Sequence, residues 1–228
     1  MSFESGRKLG LFGSLIQVVL PIVAVMVVVI YVLSVIGNYI PSMGSTPSVP
    51  DFSSLFAGLI IPIIIPIGIV TFIGFVLFII AMHRLSQYYT ERGIFNNALI
   101  GFIISLVGPV IGLTALALEY NSLISTLQNL SQTGSGTMNP LFPTQLGQAL
   151  TAAYYVGLVF GILTAIFYML AFNKLADASG NSTFRTAGIL YLIGAVLTIA
   201  VIGGLLVWIA WILAAVAFNS LKPKQAPI

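Results

Sequence analysis

Long apolar runs, separated by short polar or glycine-containing breaks, dominate this chain. The runs extend from Leu9 to Ile36, from Ala57 to about Arg84, from Asn96 or Asn97 to about Glu119, from Gln148 to Asn173 and from Phe184 to Leu221. Uncharged apolar stretches of about eighteen or more residues predict membrane-crossing helices. The first run is far longer than the roughly 7–15-residue core of a signal peptide, so it predicts an uncleaved first crossing. The last run, as one helix, is roughly 55 Å long against a hydrocarbon layer of about 30 Å. Split at Gly203-Gly204 it gives two helices, 184–202 and 205–221, each just long enough to span. The pattern therefore predicts six helices rather than five.

Between the runs, 37–56 is rich in Ser, Pro and Gly, and 120–147 in Ser, Thr, Asn, Gln and Gly. Both are expected as outer loops, with Gly134-Ser135-Gly136 a flexible tip. Gly37-Asn38 and Pro41 end the first helix. Residues 85–92 continue the second as a wet amphipathic end. Gly93 is expected as its left-handed cap. Asn96 or Asn97 is expected to start the third helix. Gly180 closes a short inner turn, and Ser182 or Thr183 caps the fifth helix.

Charge adds orientation. All eight basic residues fall in four stretches: Arg7 and Lys8, Arg84 and Arg92, Lys174 and Arg185, Lys222 and Lys224. Basic residues stay on the cytoplasmic side. The expected fold is thus all-α: a polytopic membrane helix bundle in the cell membrane with both termini cytoplasmic. It is one transmembrane domain over 1–228, with hairpins at about 9–84, 95–173 and 184–221. A five-helix chain would strand Lys222 and Lys224 outside.

Composition agrees: 59% of residues are hydrophobic and 6% charged, whereas a soluble domain is about a quarter charged. The net charge of +3 follows from the inside rule. It points to lipid headgroups as the anionic partner and not to nucleic acid. There is no cysteine, which excludes disulfides and thiolate metal sites.

The inner ends of the second, fourth and sixth helices read Ala81-Met-His-Arg-Leu85, Ala171-Phe-Asn-Lys-Leu175 and Ala217-Phe-Asn-Ser-Leu221. Phe95-Asn-Asn-Ala98 with Phe102 aligns with Phe184-Arg-Thr-Ala187 with Tyr191. This predicts one helical hairpin used three times in parallel, unlike the inverted repeats of many transporters.

Close packing through small residues joins helices in lipid. Ala98, Gly101, Ser105, Gly108, Gly112 and Ala115 share one face of the third helix, which is therefore expected at the centre. Leu at Gly108 or Gly112 should disrupt packing more than Leu on a flank. The fourth helix offers Ala153, Gly157, Gly161 and Ala165, and the sixth Ala210, Ala214 and Ala217. Pro21, Pro62, Pro66 and Pro109 lie inside crossings. They read either as static kinks satisfied by neighbours or, for Pro62 and Pro66, as a hinge.

Candidate chemistry is sparse. Glu119 continues the small-residue stripe at the outer end of the third helix. It is either an interfacial acid or the mouth of a pore. Gln17 is the most polar side chain deep in the first helix, and is expected as an interhelical hydrogen-bond donor more than a substrate ligand. His83 is the only histidine, and a metal site needs several ligands. No catalytic set or nucleotide motif stands out, so no enzyme activity, cofactor or metal is expected. Trp208, Trp211, Tyr88 and Tyr89 are expected as interfacial belt anchors. Arg84, Glu91, Arg92, Lys174 and Asp177 form a candidate cytoplasmic network: an ion-pair set joining two hairpins, or a docking site. Asn129-Leu-Ser131 is an outward glycosylation sequon. Asn181-Ser-Thr183 faces inward and should stay unmodified.

Tyr88-Tyr89, then Glu91-Arg-Gly-Ile-Phe-Asn-Asn-Ala98, Phe184-Arg-Thr-Ala-Gly188 and Trp208-Ile-Ala-Trp-Ile-Leu213 resemble an archaeal family of multi-pass membrane proteins known only as domain of unknown function 996. The resemblance implies an archaeal cell membrane and carries no activity or ligand. Two functions stay open. One is a structural, scaffold or accessory subunit, with a membrane-protein partner or a second copy. The other is a channel or transporter for a neutral or lipid-like solute, for which a polar cavity beside Pro62, Pro66 and Glu119 would speak.

Overall fold

The computed structural model describes residues 3–39, 63, 65–132, 141–200 and 202–223; side chains at 32, 35–39, 113, 115–132, 141–150, 152 and 153 lie outside the description. Among the described residues there are six α-helices and no strand. They are α1 (Phe3–Tyr39), α2 (Ile65–Tyr89), α3 (Arg92–Gln132), α4 (Leu141–Ser179), α5 (Thr183–Leu197) and α6 (Ile202–Asn219), with a tight helical turn, Thr198–Ala200, between the last two. Six segments of these helices are long and apolar enough to cross a membrane. A helix satisfies its own backbone, which is why uninterrupted apolar sequence takes this form.

Consecutive helices are neighbours, and α6 packs back on α1, so the six close into a ring in chain order. The best-packed part is the end that carries the basic residues. Phe78 of α2 sits at its centre. Its ring meets Tyr168 and Phe172 of α4 and Trp211 and Phe218 of α6 edge-on, at centroid distances of 5.5, 5.8, 5.3 and 6.2 Å. Edge-to-face pairs add about 0.5–1.5 kcal/mol each beyond the area they bury. Around them Ala81, Ala171 and Ala217, with Leu85, Leu175 and Leu221, are buried. The expected centre, α3, is instead an ordinary member of the ring, lying between α2 and α4. Its glycine stripe faces one neighbour only.

That stripe does bring α3 and α4 together. A Cβ on Gly101 would lie 2.8 Å from Tyr168 Cδ1, and one on Gly108 would lie 2.6 Å from Phe160 Cβ. Ala98 is fully buried, and Ser105 Oγ turns back to donate to Phe102 O at 2.7 Å. Gly112 differs: it is buried, yet a Cβ there meets nothing within 4 Å. The side chain of Ala115 lies outside the described residues. On α4, Ala165 is buried, while Gly157 and Gly161 also face open space. On α6, Ala210, Ala214 and Ala217 are all buried. A contact not foreseen joins α1 to α2. A Cβ on Gly13 would lie 2.8 Å from Gly74 O, and one on Gly74 2.6 Å from Ile16 Cγ2.

Several boundaries differ from expectation. The second expected loop is largely helical: α3 runs to Gln132 and α4 starts at Leu141. Leu123, Ile124, Leu127 and Leu130 recur at helical spacing there, beneath a polar composition that reads as loop. Residues 133–140, with Gly134-Ser135-Gly136, lie outside the described set, as do 40–62, which hold most of the first loop.

The α2–α3 turn does not use Gly93. Thr90 takes the left-handed conformation, with φ of 57°. Glu91 N donates to Ser86 O at 3.0 Å and Thr90 N to Gln87 O at 3.4 Å. These are the two bonds of a Schellman cap, which places the left-handed residue at 90. Gly93 falls in the first turn of α3, whose start is capped by Glu91 Oε1 accepting from Gly93 N at 3.2 Å, not by Asn96 or Asn97. At the α4–α5 turn Gly180 has φ of 70°, as expected. The cap there is Asn181, whose Oδ1 accepts from Thr183 N at 3.1 Å; Ser182 makes no side-chain cap bond. The two turns thus match at Thr90/Gly180 and Glu91/Asn181. They then set Ile94, not Phe95, opposite Phe184, and both Ile94 and Phe184 are fully buried.

The α5–α6 turn falls before Gly203-Gly204. A Cβ on Gly203 would collide with Thr198 N and Gly194 O. The glycine is needed for close approach of two helices, not for breaking one.

Candidate functional site

Two regions hold the polar chemistry: the basic end and the opposite, far end of the ring.

At the basic end the first and last described stretches are tied to the bundle and to each other. Arg7 NH1 donates to Leu221 O at 3.4 Å, and Tyr89 OH donates to Lys222 O at 3.4 Å. Arg84 reaches the Ser5 hydroxyl, and the Phe3 and Tyr88 rings lie 4.9 Å apart. Asn181 Nδ2 donates to Ala217 O at 3.2 Å and Ser220 Oγ at 3.0 Å, linking the α4–α5 turn to α6.

The candidate network of Arg84, Glu91, Arg92, Lys174 and Asp177 separates into distinct ties. Lys174 Nζ lies 4.0 Å from Glu91 Oε1. Asp177 pairs with Arg185 at the start of α5 rather than with Arg92. Arg92 is exposed. Both ion pairs are largely solvent-exposed, so each is worth about 0–1 kcal/mol. His83 Nε2 lies 3.0 Å from Gln87 Nε2, and its ring packs edge-on to Phe95. Among the described residues no three His, Asp or Glu side chains group to hold a metal.

The aromatic residues expected as belt anchors have structural roles. Trp211 is 4% exposed and belongs to the core, as does Tyr89. Trp208 Nε1 donates to Val18 O of α1 at 2.8 Å. Pro21 lies one turn beyond that carbonyl, inside α1. Proline has no N–H, so the carbonyl Pro21 leaves without a helical donor is that of Gln17, four residues back; Trp208 caps the next carbonyl along, on Val18. Gln17 is buried and its Nε2 donates to Thr71 O of α2 at 3.1 Å. Pro66 stands in the first turn of α2 and Pro109 inside α3; Pro62 lies outside the described residues.

At the far end the ring opens. A cavity of about 290 Å³ lies between α4, α5 and α6, lined among others by Tyr154, Gly157, Gly161, Tyr191, Thr198 and Val207. Gly157 and Gly161 lie on the α4 face that carries Tyr168, since the steps of four and seven keep one face. The interior that is solid at the basic end is therefore hollow here. Tyr191 closes its depth, with its ring 5.7 Å from both Tyr168 and Trp211. Tyr154 OH donates to Thr198 O at 3.4 Å, bridging α4 to the α5–α6 turn. A second, wholly apolar hollow of about 310 Å³ lies on the α1–α6 flank at Pro21, Met26 and Trp208.

Glu119 does not mark the end of α3, which continues to Gln132. Its side chain, like that of Asn129, lies outside the described residues. Asn129 stands on helical backbone, not in a loop. The cavity residues were missed in the sequence because glycines at steps of four read as packing. Only Tyr154 and Tyr191, large polar-tipped side chains on the same apolar faces, hinted otherwise.

Residues 70–212 of the sequence match a family model described as a protein of unknown function (DUF996), and the chain belongs to that family. It is also similar to the uncharacterized protein MJ1644 of Methanocaldococcus jannaschii, 27% identical over 158 residues, covering 68% of this chain and 80% of the relative. No solved structure matches the chain.

Proposed function

We infer that this is a multi-pass protein of the cell membrane, with both termini cytoplasmic, that serves as a structural or accessory subunit of a membrane assembly. The observation that carries this reading is the aromatic seal at the basic end. Phe78, Tyr168, Phe172, Trp211 and Phe218 fill the middle of the ring and leave no path for a solute at that level. A conduit needs an open or openable centre, and a subunit needs a rigid frame. No reaction is assigned to it.

Topology rests on the basic residues, whose described members gather at one end, and on the hairpin reading. Ala81, Ala171 and Ala217 occupy equivalent buried positions, as do Leu85, Leu175 and Leu221, which supports three parallel hairpins. A protease-accessible carboxy-terminal tag on the cell exterior, or sugar on Asn181, would reject the orientation. Sugar on Asn129 would support it.

Purification of the protein in mild detergent from its native membrane tests the role. A stoichiometric membrane-protein partner, or a defined homo-oligomer, is expected. The alternative, a transporter for a neutral or lipid-like solute, draws on the far-end cavity. It wins if the protein purifies alone and moves such a solute across liposomes.

A further inference from the structure

The cavity between α4, α5 and α6 plays no part in the framework role. We propose that it holds one hydrocarbon chain of a membrane lipid, with the polar part of that lipid beside Tyr154 and Thr198. This rests on the membrane reading above.

Space is the first argument. Along the interior face of α4, Tyr168 and Ala165 are buried, yet a Cβ on Gly157 or Gly161 meets nothing within 4 Å. The glycines leave a slot that ordinary side chains would fill. Lining chemistry is the second. The walls are mostly apolar, and such cavities stay dry. In a bilayer the material at hand is acyl hydrocarbon. The polar atoms at the mouth are the Tyr154 hydroxyl and the Thr198 carbonyl it meets, a place for a lipid's ester or headgroup region. Size is the third. About 290 Å³ stands at the low end of the roughly 300–1,000 Å³ of small-molecule sites. It takes one chain, not a bulky headgroup. Tyr191, backed by Tyr168 and Trp211, stops the chain end. The hollow at Pro21 has no polar edge to orient a lipid.

The test uses the full chain with Trp208→Phe, which leaves Trp211 as sole tryptophan. It is reconstituted into phosphatidylcholine vesicles with or without bromine on the acyl chains, and flotation is checked first. Bromine quenches indole only at close range. Trp211 is 4% exposed and packs against Tyr191, which lines the cavity, so a chain in the cavity adds to the quenching from lipid around the bundle. Brominated vesicles are expected to quench Trp211, and Gly161→Leu to cut that quenching by about half or more. Gly68→Leu, equally open but on α2 away from the cavity, should leave it unchanged. A protein that floats but is quenched equally with and without Gly161→Leu, or not at all, overturns the proposal. Failure to float overturns the membrane reading itself. If Trp208→Phe does not fold, native mass measurement of lipids retained by the unaltered protein and by Gly161→Leu replaces fluorescence. One lipid fewer in the variant supports the proposal, and equal counts reject it.

Discussion

The two ends of one helix, α4, are built by opposite rules. From Ala165 to Leu175 its interior face is fully packed, with Tyr168 and Phe172 among the most buried side chains of the protein. From Tyr154 to Gly161 the same face borders a cavity. The contrast extends to the whole ring. At the basic end Phe78 holds four rings against itself. At the far end the exposed surfaces of α1, α2 and α3 are crowded with Val, Ile and Leu. Helix lengths reinforce it. With 41 and 39 residues, α3 and α4 are about 60 Å long, while α6 with 18 residues is about 27 Å. Because Tyr154 is level with Thr198, the earlier residues of α4 stand beyond the α5–α6 turn. Rigidity thus comes from aromatic side chains shared by alternate helices, and open space appears where glycine replaces them.

Removing the central ring should break this contrast most. Phe78→Ala is expected to cost about 3 kcal/mol, the low end of the range for a buried Phe, because in a membrane lost contacts count and apolar transfer does not. Thermal melting in detergent would read it. A fall no larger than that of Leu158→Ala, at the cavity edge, would remove the distinction between the ends.

Glycine substitutions sharpen it. Gly108→Leu should cost about 1–3 kcal/mol by overpacking, since Phe160 stands where the new side chain would go. Gly112→Leu, on the same stripe and buried but with room for a Cβ, should cost less than Gly108→Leu. Equal melting of the two variants would mean that the stripe packs along its whole length after all.

The smallest effect is at the basic end's own turn. Thr90 is a β-branched residue with φ of 57°, a conformation costing about 1–2 kcal/mol for residues other than glycine. Glycine also has a larger unfolded-state entropy, which offsets part of that gain. Thr90→Gly should therefore raise the melting temperature slightly. A decrease would show that the Thr90 side chain contributes more than the backbone strain it causes.

Parts of the molecule were plain in the residues. Apolar runs marked six helices, and Gly180 marked its turn. Gln17 was recognisable as an interhelical donor because a lone amide in an apolar helix must find a partner. Elsewhere composition misled. Polar residues 120–132 were read as loop although their leucines keep helical spacing. Gly203 was read as a break although it permits contact, and Trp208 and Trp211 as interface anchors although one fills the core and the other caps a carbonyl beside Pro21. The cavity was invisible because glycine in a helix is equally consistent with a neighbour pressed close and with no neighbour at all.

By itself, the sequence determined what depends on solvent and chain geometry: which stretches are apolar enough for helices of crossing length, and where short turns interrupt them. Only the tertiary structure decided which helix holds the centre, how the charged groups pair and where the bundle is hollow. Those outcomes depend on which side chains from distant segments meet across a ring. Local periodicity records the face a residue occupies, but not what stands opposite that face.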